Sequence, residues 1–215
     1  MFVRDYMTRH PVMVEPDMSI VEAQNIMAET KVRHLPVVEE GKCLIGLITR
    51  QRMRIPPTEL ASLNVWEITR FLSNLKVKDV MVKRNNVVTT SPDVALEEAA
   101  KVMIENKIGS LPVLEEGIVI GIITEIDMMA QLTDLLGGNE PGVRVTLRMP
   151  NRKGELAKAT GAISDQGWGI YASGGVKTPK DPDHWDCVIK VRDVSPEDLV
   201  AVLDKIEGQE IIDVR

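Results

Sequence analysis

The sequence contains two copies of one unit, and this internal repeat constrains the fold more than any other feature. The first copy includes Asp5-Tyr6-Met7, Leu35-Pro36-Val37 and Gly46-Leu47-Ile48-Thr49, and the second includes Asp79-Val80-Met81, Leu111-Pro112-Val113 and Gly121-Ile122-Ile123-Thr124. Matching positions lie 74 to 76 residues apart. Repeats at a nearly constant spacing indicate structural units that pack on one another. We therefore expect paired clefts between the two copies, an arrangement suited to binding.

Composition narrows the classes of function. Of the 215 residues, 44% are hydrophobic and 27% are charged, as in globular proteins. We find no apolar run long enough to span a bilayer and no signal sequence, which favours a cytoplasmic protein without a membrane partner. The net charge of −6 argues against nucleic acid as a partner. Cys43 and Cys187 are far apart and fall in different units, so we expect neither a disulfide nor a metal site.

Hydrophobic periodicity predicts the order of elements. Each repeat has the pattern strand, helix, strand, strand, helix, and the helix of the first copy follows from Ile20, Ala23 and Met27 at helical spacing. The tail has a different pattern, which starts with the alternating strand 143–149 and continues as β-α-β-β-α-β. That order is typical of a ferredoxin-like sandwich, in which helices cover an antiparallel sheet.

These patterns divide the chain into five segments. They are a first repeat at 1–56, a packed helical connector at 57–76, a second repeat at 77–136, a linker at 137–142 and a C-terminal domain at 143–215. Pro56-Pro57 interrupts any helix in front of the connector, which supplies large apolar side chains such as Leu60 and Trp66. The linker is the densest cluster of helix breakers in the chain.

The two repeats resemble a tandem pair of CBS domains, a Bateman module, and the tail resembles an ACT domain. The first resemblance rests on the Asp-x-Met, Pro-Asp, Leu-Pro-Val and Gly-x-x-Thr motifs of each copy, and the second on the Asn-x-x-Gly-x-Leu turn that starts at Asn151. The combined order is similar to that of the bacterial CBS-ACT proteins related to acetoin utilisation protein B. The implied fold class is an α/β Bateman module followed by an α+β, ferredoxin-like βαββαβ domain.

The resemblance implies an adenine-containing ligand, such as AMP, ATP or S-adenosylmethionine, in the clefts between repeats. In the second copy the motif Gly-x-x-Thr-x-x-Asp is complete, with Asp127 placed to accept hydrogen bonds from ribose hydroxyls. The first copy has Arg52 at that position, which can only donate, so we expect unequal sites. The residues assigned to the Asp127 cleft are Gly121, Thr124, Asp127, Val14, Val32, Arg33, His34, Ile108, Gly109 and Ser110. Further nucleotide-binding candidates are Thr49, Arg52, Thr89 and Thr90.

Structural roles compete with these assignments. Asp127 would also serve as a helix N-cap, Arg33 and His34 as a solvated strand end, and Arg52 as a surface charge or ion-pair partner.

In the tail, the residues that resemble the amino-acid-binding loop of ACT domains at a dimer interface are Asn151, Gly154, Glu155 and Leu156. A tail that only dimerises is the alternative.

The favoured hypothesis is a cytoplasmic regulatory protein, a homodimer that senses an adenosyl ligand and transmits its binding to the ACT domain or to a partner. The alternative is a structural, dimerising adaptor whose ligand sites are vestigial. We do not expect an enzyme, because the sequence has no nucleophile elbow, P-loop or His-Glu-x-x-His motif.

Overall fold

The structure, a computed structural model, describes residues 1–54, 64, 66–67, 70 and 74–215. The described chain divides into two compact units, Met1–Met128 and Met129–Arg215, so the division falls before the expected linker at 137–142. Most of the connector predicted at 57–76 lies outside the described residues. Of its described members, Trp66 is 84% exposed and Leu75 packs against the core of the first repeat.

The first unit is built from short helices and short strands. Its helices are α1 (Val3–Tyr6), α2 (Ile20–Glu29), α3 (Val77–Val80), α4 (Leu96–Asn106) and the beginning of α5 (Glu125–Leu135). Its strands are β1 (Thr8–Arg9), β2 (His34–Glu39), β3 (Cys43–Thr49), β4 (Val82–Lys83), β5 (Ser110–Glu115) and β6 (Ile118–Thr124). The opening segment of the chain, expected to be strand-like, is instead the one-turn helix α1 followed by the two-residue β1.

Each repeat forms an antiparallel hairpin, β2 with β3 and β5 with β6, and the hairpins meet where Cys43 pairs with Ile118. The strands are rich in Val, Ile and Leu, whose branched side chains pack well on a pleated surface. In each repeat the face of the helix with apolar residues at helical spacing, such as Ile20, Ala23 and Met27, is buried against the repeat's own core.

The segment that opens each repeat is exchanged with the other repeat. Strand β1 pairs with β6 of the second repeat, and β4 pairs with β3 of the first. Val3 is fully buried in the core of the second repeat and Val77 in that of the first. Their amide groups donate to Val94 O at 3.0 Å and to Met18 O at 2.9 Å, respectively. Because burying a valine contributes about 1.5 to 3 kcal/mol, the exchange stabilises the pair as one folding unit.

This exchange explains the glycine of each Gly-x-x-Thr motif. A Cβ atom added at Gly46 would lie 2.5 Å from Met81 Sδ and 2.8 Å from Val82 O. A Cβ at Gly121 would collide with the Met7 sulfur and would lie 3.1 Å from Thr8 O. Both glycines therefore provide space for the exchanged segment of the other repeat.

The second unit contains a four-stranded sheet covered by two helices. Its elements are β7 (Val143–Pro150), α6 (Glu155–Asp165), β8 (Gly169–Lys177), β9 (His184–Arg192), α7 (Pro196–Leu203) and β10 (Glu210–Val214). The sheet is antiparallel throughout, in the order β10-β7-β9-β8, and the chain order is the βαββαβ expected from sequence. Alternate residues of β7 are buried against α6 and α7, with Leu147, Ile163 and Leu199 fully enclosed.

Candidate ligand-binding clefts

A cleft of about 310 Å³ lies between the two repeats, and we call it the Asp127 cleft. The closing strand of the second repeat contributes one wall, and the exchanged segment and the start of β2 from the first repeat contribute the other. Its lining residues are Thr8, His10, Pro11, Val12, Lys31, Val32, Arg33, His34, Ile122, Thr124, Ile126 and Asp127. Both repeats are therefore needed to build this site.

Asp127 lies in the first turn of α5, where it forms a capping box with Thr124. Asp127 Oδ2 accepts hydrogen bonds from the Thr124 amide and from the Thr124 hydroxyl, both at 2.7 Å. In return Thr124 Oγ1 accepts from the Asp127 amide at 3.4 Å. A capping box satisfies amide groups that a helix start leaves without partners. Asp127 thus has a structural role, although as the third residue of the helix and not as the N-cap itself.

The capping box leaves part of the Asp127 carboxylate available to a ligand. An ionised carboxylate has about four acceptor positions, and the two bonds from Thr124 fall on Oδ2. Within the described part of the chain, Oδ1 has no hydrogen-bond donor. The Thr124 hydroxyl already donates to Asp127, so it is not free to donate toward a ribose or phosphate.

A second cleft, of about 950 Å³, also lies between residues of the two repeats, and we call it the Arg52 cleft. The turn after β3 contributes the first-repeat wall, and the segments before β5 and after β4 contribute the second-repeat wall. Its lining residues are Arg33, His34, Leu47, Thr49, Arg50, Gln51, Arg52, Arg54, Val82, Asn86, Val87, Val88, Lys107, Ile108, Gly109, Ser110 and Glu125.

The Arg52 cleft is strongly basic. Five of its lining side chains are cationic, and among the described residues that line it Glu125 alone is acidic. Glu125 Oε1 pairs with Arg33 Nη2 across the repeats at 3.4 Å. Thr49 Oγ1 accepts from the Arg52 amide at 3.3 Å, but no reciprocal acceptor exists, and residues 50–53 form turns and not a helix.

Arg33 and His34 line both clefts and so form their common wall. Burial lowers the pKa of His34 below 6.5, and the neighbouring Arg33 lowers it further, while Glu125 acts in the opposite direction. The imidazole is therefore mainly neutral at neutral pH and offers one donor and one acceptor.

The structure brings together Val32, Arg33 and His34 with Thr124 and Asp127, as the sequence assignment requires. It places Ile108, Gly109 and Ser110 in the Arg52 cleft with Thr49 and Arg52, in contrast to their assignment to the Asp127 cleft. The physical reason for this difference is that each cleft joins parts of both repeats. The end of the second hairpin strand in one repeat faces the segment before the hairpin in the other repeat.

Four other candidates lie away from the lining of both clefts. Val14 is 2% exposed in the core of the first repeat, and Gly121 is buried beneath Met7. Thr90 bonds through its backbone to β5, with its amide donating to Pro112 O at 3.0 Å. Thr89 is half-buried and is not among the residues that line either cleft.

Sequence reasoning missed the contribution of the exchanged segments. His10, Pro11 and Val12 line the Asp127 cleft, and Asn86, Val87 and Val88 line the Arg52 cleft. The repeat itself carried the signal, because these triplets occupy matching positions 76 residues apart. The pairing of β1 with β6 and of β4 with β3 determines which cleft each triplet enters.

The second unit has its own pocket, of about 320 Å³, at the start of α6. It includes Asn151, Glu155 and Leu156 together with Trp185, whose buried indole Nε1 lacks a hydrogen-bond partner among the described residues. Gly154 is not among the lining residues; its φ of +90° turns the chain into α6.

Glu155 is only 4% exposed, and polar neighbours surround its carboxylate. Gln209 Nε2 donates to it at 3.2 Å and Lys158 Nζ at 3.0 Å, while Arg152 lies 3.3 Å away. The hydrogen bonds from Gln209 and Lys158 hold the pKa of Glu155 below its usual value. Glu155 is therefore an ionised, internally paired group in the wall of the pocket.

The part of the chain that the structure describes shows neither a metal site nor a membrane span. No three side chains of His, Cys, Asp or Glu are grouped as metal ligands. No described helix combines the length and apolar character that crossing a membrane requires.

Comparison with known proteins identifies the class to which this architecture belongs. The sequence profile of the CBS domain matches residues 3–54 and 77–134, more than half of the chain. The chain belongs to the CBS domain family and carries a tandem pair of these domains, as the repeat predicted.

Solved structures share the fold of this pair. The CBS domain pair of protein MJ0100 in complex with 5′-methylthioadenosine and S-adenosyl-L-methionine is 26% identical, with a TM-score of 0.51, and the match covers 65% of this chain and 98% of that one. A protein described as an acetoin utilization protein (AcuB), from Vibrio cholerae, is 28% identical with a TM-score of 0.53, covering 66% and 98%. CBSX2 in complex with AMP is 25% identical with a TM-score of 0.51, covering 62% and 96%.

Curated relatives include larger proteins. The chain spans less than a quarter of the length of an inosine-5′-monophosphate dehydrogenase from Aquifex aeolicus and of a homoserine O-acetyltransferase from Methanohalobium evestigatum. CBS pairs thus also occur as parts of enzymes.

Proposed function

We propose that this protein is a regulatory ligand sensor that binds an adenosyl ligand, such as AMP, ATP or S-adenosylmethionine, in the clefts between its CBS repeats. The observation that carries the proposal is the position of Asp127 in the wall of a cleft that both repeats build. The capping box uses Oδ2 of its carboxylate, so Oδ1 is available to a ligand. Two acceptor positions on Oδ1 suit the two hydroxyls of a ribose. The CBS pairs of MJ0100 and CBSX2, which bind adenosyl compounds, support the same ligand class.

The test is a thermal-shift titration with AMP, ADP, ATP, S-adenosylmethionine and NAD on the wild type and on Asp127→Asn. The asparagine keeps one carbonyl oxygen for the Thr124 amide but replaces the free carboxylate oxygen by an NH₂ donor. At 100 times its dissociation constant a ligand adds about 2.7 kcal/mol to stability. We expect a rise in melting temperature with one of these ligands, and a loss of about 1.5 to 3 kcal/mol of binding free energy in the variant.

Asp127→Ala, which loses the carboxylate completely, measures the capping and binding roles together. Asp165→Ala is the matched control, because Asp165 is an exposed acid in the second unit. Undiminished ligand affinity in both Asp127 variants would refute the role of this carboxylate.

Transmission of the binding state is the second part of the proposal. Helix α5 carries Asp127 in its first turn, and its residues from Met129 onward belong to the second unit. A ligand that alters the first turn of α5 therefore acts on an element common to both units.

We further propose that the second unit is an ACT domain. The support for this is its βαββαβ order and the pocket at Asn151, Glu155 and Leu156. An amino acid is the ligand class proposed for that pocket, and amino acids added to the titration test it.

A dimerising adaptor with vestigial sites is the competing function. One observation favours self-association, because α5 exposes an apolar stripe at a spacing of three residues: Ile126 at 58%, Met129 at 60%, Leu132 at 49% and Leu135 at 52%. A second copy of the chain that covers this stripe would form a homodimer. The adaptor predicts a dimer by light scattering and no stabilisation by any nucleotide, whereas the sensor predicts stabilisation.

A further inference from the structure

The two clefts occupy matching places in the repeat, but they differ in charge. Five cations and Glu125 line the Arg52 cleft, whereas Lys31, Arg33 and Asp127 are the charged residues of the Asp127 cleft. Thr49 of the first copy corresponds to Thr124 of the second. In each copy the first and third residues after this threonine are charged, and the sign of the charge differs between the copies. Arg50 stands where the second repeat has Glu125, and Arg52 stands where it has Asp127. Two acidic residues of the second copy thus correspond to two basic residues of the first. Of the acidic pair, Asp127 lines the Asp127 cleft, whereas Glu125 lines the Arg52 cleft.

Further cations reach the Arg52 cleft from other elements. Arg33 comes from the start of β2, Arg54 from the end of the turn after β3, and Lys107 from the end of α4. Lys107 has a left-handed φ of 53°, as does its counterpart Lys31 with 57° in the Asp127 cleft. Cations therefore converge on the Arg52 cleft from both repeats, in a chain whose net charge is −6. A concave site lined by one sign of charge concentrates ligands of the opposite sign.

We infer that the Arg52 cleft is a polyphosphate site, which binds a ligand with two or more linked phosphates, whereas the Asp127 cleft receives a nucleoside. Arginine presents a planar fork of donors that binds phosphate oxygens in pairs and stays charged at all relevant pH values. The volume of about 950 Å³ lies near the top of the range for small-molecule sites, and that of about 310 Å³ lies near the bottom. The inference rests on the proposed function only in treating the clefts as ligand sites.

Isothermal titration calorimetry with sodium tripolyphosphate, in buffer without divalent cations, tests the inference on the full chain. The cleft variant is Arg50→Gln with Arg52→Gln; both side chains are exposed, so the fold should tolerate the changes. The control is Lys180→Gln with Lys205→Gln, which removes the same charge from exposed positions in the second unit. We expect the cleft variant to bind tripolyphosphate at least about tenfold more weakly and the control to bind as the wild type does. Wild-type affinity should also fall as salt is raised.

ATP and GTP distinguish the source of the phosphates. Equal affinity for tripolyphosphate, ATP and GTP would assign the site to phosphates alone, and tighter binding of ATP would assign it to the tail of an adenine nucleotide; both support the inference. Absence of tripolyphosphate binding to the wild type, or an equal loss in the cleft variant and the control, would overturn it.

Asp127→Asn separates this inference from the proposed function. The variant should lose AMP or S-adenosylmethionine and retain tripolyphosphate. Tripolyphosphate binding that needs the arginines, in a protein that binds no adenosyl compound, would leave the anion site standing and remove the adenosyl sensor. Adenosyl binding without tripolyphosphate binding would do the opposite.

Discussion

The two repeats differ in the segment that follows the second strand of each hairpin. In the second repeat, Thr124 and Asp127 form a reciprocal capping box, and α5 begins immediately after β6. In the first, Thr49 Oγ1 accepts from the Arg52 amide without a return bond from the Arg52 side chain, and the chain continues as turns through Met53. The two repeats thus differ at this segment in both local structure and charge. Duplicated units can preserve a core and still diverge at the positions that face a ligand.

The largest expected effect concerns the glycines that both repeats share. Gly46→Ala should lower the free energy of unfolding by about 1 to 3 kcal/mol, because the new methyl group meets the backbone oxygen of Val82 as well as the Met81 side chain. Gly121→Ala should cost less, since Met7 can move and the Thr8 oxygen is more distant. Urea denaturation measures both.

Gly161→Ala is the control for these variants, because a Cβ at this helical position has no neighbour within 4 Å. It should leave stability unchanged or raise it by about 0.5 to 1 kcal/mol. A Gly46→Ala protein as stable as the wild type would show that the exchanged segment does not need the space.

The capping difference predicts an intermediate effect. Thr124→Val retains the shape of the side chain but removes both of its hydroxyl hydrogen bonds, and we expect a loss of about 1 kcal/mol. Thr49→Val removes a single 3.3 Å bond in a turn and should cost less than about 0.5 kcal/mol. Equal losses in the two variants, measured by thermal or urea denaturation, would contradict a capping box confined to the second repeat.

The smallest effect is the pH dependence of stability that His34 of the first repeat contributes. Burial lowers the pKa of His34 in the folded state, so below about pH 6.5 the unfolded chain binds the proton more readily. Stability should therefore decrease as pH falls from about 7 through the lowered pKa. The matching residue of the second repeat is Ser110, which does not titrate in this range.

Denaturation of His34→Ser at a series of pH values tests this prediction, since the variant places the Ser110 residue type in the first repeat. The variant should have a flatter pH profile than the wild type between about pH 5 and 7. An unchanged slope would assign the pH dependence to other groups.

The sequence predicted well what depends on local pattern. The repeat motifs predicted the CBS pair, which the family match confirmed, and alternation in strands such as β7 predicted the chain order of the second unit. These features follow from periodicity and turn chemistry, which a single chain displays directly. The presence of Arg52 in place of an aspartate also predicts two unequal ligand sites, which stays a prediction until binding is measured.

Only the tertiary structure decided which residues share a cleft. Ile108, Gly109 and Ser110 face Arg52 and not Asp127, and the glycine of each closing motif makes space for a methionine from the other repeat. Both results follow from the exchange of the opening segments. Each opening segment could pack on the core of its own repeat or on that of the other, and local sequence patterns do not distinguish these two similar cores. The sequence thus determined the two units and their charges, whereas long-range strand pairing determined how those charges meet.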